Sequence, residues 1–240
     1  MGNGFVGNLI RYLKNLSWGN IIKKIIRRVR TPYFFVDLMY YFRVGRDVLS
    51  FCQKVTKADA EIVRRIYEES IRDVISDSDY HRMLYVLTRI VKPKVFVETG
   101  VSQGKSSQAI LKAMKVNGFG KLYSIDLPKD ACEDGTVYDT SKGVGHLVPA
   151  DLRGHWVLIL GDSRVELPKL LESLGEIDVF LHDSLHTLEF MKFEYDMAWE
   201  HIRKGGLLLS HDIQWSGAFR LKSKDKEHYV LNYNIGGIVK

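Results

Sequence analysis

From residue 95 to residue 210, short apolar runs alternate with longer segments in which apolar residues recur at helical spacing. Short apolar runs are typical of buried strands, and the helical spacing is typical of amphipathic helices. Such an alternation predicts parallel strands that are covered by helices on both faces. The sequence therefore predicts an α/β fold with a doubly wound, mostly parallel sheet. The predicted strands and helices are 95–99, 106–116, 121–126, 156–160, 164–174, 177–182, 186–203 and 206–210.

The first 56 residues differ from the rest of the chain in charge. Ten Lys or Arg residues and two acids give residues 1–56 a net charge of +8, so residues 57–240 carry −2 of the total of +6. Because the presumed catalytic part is nearly neutral, nucleic acid is not expected as its partner. Residues 1–56 are predicted to be a basic, aromatic-rich helical extension.

Within that extension, residues 8–30 carry an isoleucine stripe that is flanked by Lys and Arg residues. One hypothesis is a helix that lies on an anionic membrane surface. The other is a solvated helix that packs on the body of the protein or on a second copy of the chain. The pattern alone leaves both open.

Residues 57–240 are predicted to form one catalytic domain, which begins with two leading helices in residues 57–92. Residues 127–155 are polar, rich in Gly and Asp, and without a clear period, which favours a functional lid. Cys52 and Cys132 match no metal or redox spacing. No secretory signal and no membrane-spanning run of about 18 apolar residues is recognised, so a cytoplasmic location is expected, with peripheral membrane contact as the alternative.

The first predicted strand leads into a glycine turn. Gly100 and Gly104 are four residues apart, and Ser106 and Ser107 open the helix that follows. Glycine lets the backbone approach a ligand closely, and a helix N-terminus offers free N–H groups. The second strand ends in Asp126, an acid placed to bond the two hydroxyls of a ribose. Turn and acid together predict a nucleoside-type cofactor.

The third strand is followed by Gly161, Asp162 and Ser163, at the sheet edge where open α/β sheets bind cofactors. This polar pair is suited to an adenine edge. It is equally suited to capping the next helix, since Asp and Ser are common at helix starts. Both roles can hold at once.

Acids and histidines follow the next two strands. His182, Asp183 and His186 come at the end of strand 177–182, and the strand at 206–210 leads into His211 and Asp212. Parallel neighbouring strands place these ends side by side. Carboxylates with imidazoles suit a divalent cation such as Mg²⁺ or Mn²⁺, and a base beside the cation can remove a hydroxyl proton. The alternative is that these side chains cap helices or bond one another.

In combination, these motifs resemble those of the class I S-adenosylmethionine-dependent methyltransferases, over roughly residues 90–240. The resemblance is nearest to the metal-dependent O-methyltransferases of natural-product sugars (the macrocin type) and more distant to catechol O-methyltransferase. It implies a Rossmann-like fold and O-methylation of a hydroxyl on a small-molecule or glycan acceptor, assisted by a divalent cation. The stretches that carry it are Glu98 to Ser107, Asp126, Gly161 to Ser163, Ile177 to His186 and Gly205 to Asp212.

The resemblance also implies roles for single residues. Glu98 and the two glycines would cradle the methionine part of S-adenosylmethionine, Asp126 would hold the ribose, and the pair after the third strand would flank the adenine. The implied cofactor-binding residues are Glu98, Gly100, Gly104, Ser106, Ser107, Asp126, Asp162, Ser163 and Asp183.

For the cation and the base, the resemblance implies that Asp183 and Asp212 are metal ligands and that His186 is the general base. His211 is grouped with the ligands, although it departs from the macrocin pattern, which has an acid at that position.

Three alternatives compete with this interpretation. Gly100-Val101-Ser102-Gln103-Gly104 formally matches a hydrolase nucleophile elbow, with Asp183 and His211 in hydrolase order, but no glycine-rich oxyanion loop precedes it. A dinucleotide oxidoreductase would need a third glycine in the turn. A non-catalytic membrane-surface or scaffold protein built on a methyltransferase fold is the third alternative.

Overall fold

The computed structural model describes residues 34–74, 78–128 and 142–240, with side chains from Gly45 onward. The predicted helical segment at residues 8–30 and part of the predicted lid, residues 129–141, lie outside the described residues.

By its internal contacts the chain divides into two compact units, Met1–Val44 and Gly45–Lys240. Helix α1 (Phe34–Thr56) ends at the last residue of the predicted extension, and its second half belongs to the larger unit. In that half, the apolar side chains are buried in the core because they face the helices that follow. They are Val48, Phe51, Cys52 and Val55.

Two further helices precede the sheet, α2 (Ala60–Asp73) and α3 (Asp79–Val91). The start of α2 is set by Asp59, whose carboxylate accepts hydrogen bonds from the backbone N–H groups of Glu61 and Ile62 at 2.9 and 3.3 Å. The sequence, in which an acid follows Thr56 three residues on, predicts a helix start at Thr56. In the structure Thr56 is the last residue of α1 and Asp59 is the cap, so α2 begins at Ala60, four residues beyond the threonine.

The strands and helices alternate as predicted from residue 95 onward. Two strands at the C-terminus, β6 and β7, are additional to those predicted. The bounds are β1 Val95–Thr99, α4 Lys105–Asn117, β2 Lys121–Asp126, a 3₁₀ helix Ala150–His155, β3 Trp156–Leu160, α5 Ser163–Leu174, β4 Ile177–His182, α6 Leu188–His201, β5 Ile202–Ser210, α7 Ala218–Ser223, β6 His228–Leu231 and β7 Ile235–Val239.

The seven strands form one sheet in the order β3-β2-β1-β4-β5-β7-β6. Strands β1 to β5 are mutually parallel, and β7 runs antiparallel to both of its neighbours. The order reverses direction between β1 and β4, which is the point at which open α/β sheets bind their ligands. The doubly wound, mostly parallel Rossmann-like sheet that the sequence predicts is confirmed.

Both faces of the sheet are buried, because neighbouring residues of one strand point to opposite sides. Phe96 packs in the core formed with helices α1 to α4, and Val97 packs in the core formed with α5, α6 and α7. In β5, Leu207 and Leu209 share the first core, whereas Leu208 lies in the second. The two layers leave the carboxyl ends of β1, β2, β4 and β5 as the edge on which a site can form.

Candidate active site

The two glycines of the turn after β1 are required by close contacts. Gly100 has φ +85°, and a Cβ at this position would lie 2.0 Å from the backbone oxygen of Asp183. Gly104 has φ +93° and precedes α4; its Cβ would lie 2.9 Å from Cα of Gly145. L-residues with a side chain rarely adopt these angles. The turn therefore packs closely against two neighbours, the end of β4 on one side and the segment around Gly145 on the other.

That segment is joined to the turn by backbone hydrogen bonds. The N–H of Gly145 donates to the oxygen of Ser102 at 2.8 Å, and the N–H of Leu147 donates to Gln103 at 3.0 Å. The described part of the predicted lid, residues 142–155, thus lies directly on the glycine turn.

Asp126, at the end of β2, holds the glycine turn from the other side. Its Oδ2 accepts hydrogen bonds from the N–H groups of Val101 and Ser102 at 2.9 and 2.7 Å, and its Oδ1 accepts one from Leu127 at 2.8 Å. A carboxylate offers about four acceptor positions. Asp126 therefore fixes the turn and still has an acceptor position for a ribose hydroxyl.

Glu98 is fully buried beneath the turn. Its Oε2 accepts hydrogen bonds from the hydroxyls of Ser107 and Ser124 at 2.6 and 2.8 Å. Its Oε1 has no hydrogen-bond partner in the described part of the chain. Burial raises the pKa of Glu98 to about 7, against the opposing effect of hydrogen bonds from Ser106, Ser107 and Ser124.

The polar pair after β3 serves structural contacts. Asp162 caps α5, because its Oδ1 accepts a hydrogen bond from the N–H of Arg164 at 2.8 Å. Ser163 is buried, and its hydroxyl donates to Oε1 of Glu194 at 2.5 Å. The capping role is observed for Asp162, whereas the adenine contact stays a prediction.

The acids and histidines after β4 and β5 form one cluster. His182 at the end of β4 pairs with Ser210 at the end of β5, so the residues that follow both strands meet at the same edge. One potential ligand atom from each of four residues lies within 4.8 Å of all the others. Each side chain is between 20% and 25% exposed, so a small ion can reach the cluster. The four residues are Asp183, His186, His211 and Asp212.

His211 lies between the two carboxylates. Its Nδ1 is 3.1 Å from Oδ1 of Asp183 and 3.3 Å from Oδ2 of Asp212. Burial alone would lower the pKa of His211, but the hydrogen bonds to both carboxylates raise it to about 10. Burial also opposes ionisation of Asp212, and the hydrogen bond from His211 lowers the pKa of that carboxyl. The cluster thus attracts positive charge.

His186 faces the same carboxylates at longer range. Its Nε2 is 3.9 Å from Oδ1 of Asp183 and 3.7 Å from Oδ2 of Asp212, beyond hydrogen-bond distance. This nitrogen is buried without a hydrogen-bond partner among the described residues. Burial lowers the pKa of His186. A neutral ring with an unused nitrogen facing the cluster is suited to accept a proton.

His182, which the sequence places with this group, is directed elsewhere. It is fully buried, and its Nδ1 donates to Oε2 of Glu194 at 2.6 Å. Glu194, on α6, also accepts hydrogen bonds from Thr99, Ser163 and Ser184. Burial alone would raise the pKa of Glu194. The hydrogen bonds outweigh burial and lower this pKa, and the bond from His182 has the largest share. Two histidines, not three, therefore meet the acids.

Residues that were not predicted from the sequence also contact the cluster; besides Gln214, which donates to Oδ1 of Asp212 at 3.3 Å, they include Tyr80 and Asn234. The hydroxyl of Tyr80, on α3, donates to Oδ2 of Asp183 at 2.9 Å, and its ring stacks on His211 with 4.2 Å between centroids. Asn234, between β6 and β7, places Nδ2 3.0 Å from Nε2 of His211. Tyr80 begins a predicted helix and Asn234 follows an exposed Asn-Tyr pair, so neither carried a local signal of a site.

Comparison with known proteins gives one family match within the chain. Residues 97–213 match the sequence family described as a methyltransferase domain. Among curated protein sequences, none matches this chain.

Three solved structures share the fold, each with a TM-score of 0.50. A methyltransferase from Geobacter sulfurreducens is 17% identical, over 76% of this chain and 89% of that chain. Podospora anserina PaMTH1, bound to SAH, is 13% identical, over 79% and 92%. The O-methyltransferase TomG from Streptomyces achromogenes, in complex with SAM, is 14% identical, over 76% and 91%. At these identities the likeness establishes the fold.

Proposed function

We propose that this chain is a class I S-adenosylmethionine-dependent methyltransferase, in line with its methyltransferase-domain match at residues 97–213, and that it methylates a hydroxyl oxygen of a small-molecule or glycan acceptor. We propose further that a divalent cation held by Asp183, His211 and Asp212 assists the reaction, and that His186 is the general base.

The observation that carries this proposal is the contact between the glycine turn and the acid–histidine cluster. The turn that would hold the methionine part of the cofactor touches the backbone of Asp183 at Gly100. Asp183 is also a member of the cluster within which four ligand atoms lie 4.8 Å apart or less. An acceptor hydroxyl at the cluster would therefore lie beside a methyl donor bound at the turn, which is the arrangement that methyl transfer needs.

The residues at the turn fit S-adenosylmethionine. Gly104 opens a 13-residue helix whose first N–H groups face the turn, so a carboxylate would be attracted there. Asp126 retains an acceptor position for a ribose hydroxyl. The buried Oε1 of Glu98, which has no described partner, is an acceptor beneath the same turn. Ser106 and Ser107 support that carboxyl rather than facing outward, since both are buried.

The residues of the cluster fit a divalent cation. Two carboxylates supply oxygen ligands, and His211 supplies an imidazole nitrogen at 3.1 and 3.3 Å from them. Imidazole shifts the preference of an oxygen site from Mg²⁺ towards Mn²⁺, Fe²⁺ or Zn²⁺. Among the two cations that the sequence suggests, Mn²⁺ is therefore the better match.

The proton and the acceptor are handled by this chain's own residues. S-adenosylmethionine, when bound, supplies a methyl group on a sulfonium, and the cation supplies positive charge that makes a nearby hydroxyl more acidic. Nε2 of His186 accepts the hydroxyl proton, because that nitrogen faces the cluster and has no other described partner. Asp183 and Asp212 would hold the cation beside the acceptor hydroxyl. A base positioned in this way contributes about 10²–10⁴ to the rate.

The competing functions gain no support. A hydrolase would need a histidine bonded to the hydroxyl of Ser102, and this hydroxyl makes no hydrogen bond within the described ranges. In the candidate histidine, His211, Nδ1 lies beside Asp183 and Asp212, and Nε2 lies 3.0 Å from the amide of Asn234 instead of beside the serine. The family match likewise favours neither an oxidoreductase nor a scaffold.

Replacing Asp126 with alanine is expected to weaken S-adenosylmethionine binding by about 1–3 kcal/mol, because ribose hydroxyls lose an acceptor and the turn loses two hydrogen bonds. Calorimetric titration of S-adenosylmethionine measures this directly. Asp151→Ala is the matched control, since Asp151 is exposed and bonds Lys115 on the protein surface. Unchanged affinity in a folded Asp126→Ala variant would remove the ribose assignment, and no binding to the wild type would remove the proposed function.

The N-terminal extension supports a separate proposal about location. Its net charge of +8 and its isoleucine stripe fit a helix on an anionic membrane surface. In the part of the chain that the structure describes, no helix is long and apolar enough to cross a membrane. The full chain is expected to sediment with phosphatidylserine vesicles and to dissociate as salt rises. If it stays in solution at low salt, the packing or self-association hypothesis is the one retained.

A further inference from the structure

Asn234 is held against the acid–histidine cluster by the turn between β6 and β7. The N–H of Ile213, which follows Asp212, donates to the backbone oxygen of Asn234 at 3.1 Å, and the N–H of Asn234 donates to Leu231 at 3.2 Å. These bonds tie the turn to the segment after β5. The side-chain amide of Asn234 is therefore a fixed part of the wall behind His211.

The ring of His211 is held on three sides. Nδ1 faces the carboxylates of Asp183 and Asp212, Nε2 faces the amide of Asn234 at 3.0 Å, and one ring face stacks on Tyr80 with an interplanar angle of 28°. A half-turn of the ring would keep the stacking on Tyr80 but lose the contacts of both nitrogens. Only Nδ1 faces the other potential ligands.

A histidine that coordinates a cation through one nitrogen carries its proton on the other, and the partner of that second nitrogen sets the arrangement. Coordination through Nδ1 therefore requires a proton on Nε2 and an acceptor beside it. Asn234 supplies an acceptor, Oδ1, which is buried and has no hydrogen-bond partner in the described residues. The two ends of an amide have the same shape, so Oδ1 can take the place of Nδ2 at 3.0 Å after half a turn.

We infer that Asn234 is a positioning residue: its Oδ1 accepts the Nε2 proton of His211 and so leaves Nδ1 as the nitrogen that coordinates a divalent cation. The inference rests on the proposed function for the cation, and it adds a residue outside the family domain at 97–213. It also accounts for the departure at His211, because an imidazole can replace an acid as ligand only if its second nitrogen is satisfied.

The test compares two substitutions of similar size, Asn234→Asp and Asn234→Leu. Aspartate keeps an acceptor for Nε2–H, and leucine removes it. Calorimetric titration with Mn²⁺ is expected to show about 10–100-fold weaker binding for Asn234→Leu. Asn234→Asp is expected to bind at least as tightly as the wild type. Equal affinity of a folded Asn234→Leu variant and the wild type would overturn the inference.

A second readout does not depend on the affinity for the cation. In protein labelled with ¹⁵N-histidine and loaded with diamagnetic Zn²⁺, the spectra of the wild type and of Asn234→Asp are expected to show a proton on Nε2 of His211 and none on Nδ1. Tyr80→Phe is the control, because it removes the bond to Asp183 and leaves the Nε2 side untouched. A lone pair on Nε2 of the wild type would overturn the inference. If the wild type binds neither Mn²⁺ nor Zn²⁺, the proposed cation function fails; cation binding that Asn234→Leu leaves unchanged overturns only the inference about Asn234.

Discussion

Replacing His186 with alanine is expected to lower turnover by roughly 10²–10⁴-fold and to leave the affinity for Mn²⁺ largely unchanged. The physical reason is the position of Nε2, which is 3.7 Å from Asp212 and 3.9 Å from Asp183 and is buried without a described partner. Loss of this nitrogen removes the group that takes the hydroxyl proton. The carboxylates and His211, which would hold the cation, keep their own contacts.

Turnover is measured as S-adenosylhomocysteine release with a hydroxylated acceptor found by screening, and Mn²⁺ affinity by calorimetry. His201→Ala is the matched control, because His201 and the backbone oxygen that it bonds, that of Gly175, lie just before β5 and β4, at the opposite ends of these strands from the cluster. Chelation of the cation should abolish turnover and leave S-adenosylmethionine bound. A parallel fall in Mn²⁺ affinity would instead make His186 a fourth ligand. Full activity with the chelator and in His186→Ala would show that positioning alone drives the reaction.

Gly100→Ala is expected to lower the free energy of unfolding by roughly 2–6 kcal/mol and to weaken both S-adenosylmethionine and Mn²⁺ binding. One contribution is backbone strain at φ +85°. The other is the methyl group, which would lie 2.0 Å from the oxygen and 2.5 Å from the carbon of the Asp183 carbonyl. Backbone atoms cannot rotate away as a flexible side chain can, so either the turn or the end of β4 must move.

Gly118→Ala separates the two contributions. Gly118 also has positive φ, +80°, but an added Cβ there meets no atom within 4 Å. Its loss of stability should be limited to strain, about 1–2 kcal/mol, with no effect on ligand affinity. Urea denaturation of both variants provides the comparison. Equal losses for the two glycines would mean that the contact with Asp183 has no energetic importance.

The sequence predicts the sheet and the meeting of the acids and histidines because both follow from local patterns. The apolar runs at Val95 and Ile177 are strands, and parallel neighbours necessarily bring the residues after them to one edge. Asp183 and Asp212 could therefore be placed together although 28 residues separate them in the sequence. The local periodicity is enough when a strand carries a residue directly to the site.

Contacts between residues that are distant in the sequence could not be predicted from such local patterns. Tyr80 reaches Asp183 over 103 residues, and Asn234 reaches His211 from a turn between two short strands that the sequence did not reveal. Strand β7 begins Ile-Gly-Gly, and so lacks the continuous apolar run that predicts a buried strand. A side chain at Gly236 is not needed to fill the core, since the ring of Phe219 occupies that space. Glu194 lies mid-helix, where an acid ordinarily faces water, and only the packing of α6 reveals that it is buried.

The carboxylate of Glu194 makes the edge of the sheet dependent on one side chain. Four side chains donate hydrogen bonds to this carboxylate. They lie at the end of β1, at the end of β4, two residues beyond β4, and at the start of α5. Loss of any one donor leaves the carboxylate with three, whereas loss of the carboxylate removes the acceptor of all four donors, three of which are buried. The dependence is therefore one-sided: a single donor can be replaced with the loss of one hydrogen bond, but replacing the acceptor loses all four. The donors are Thr99, Ser163, His182 and Ser184.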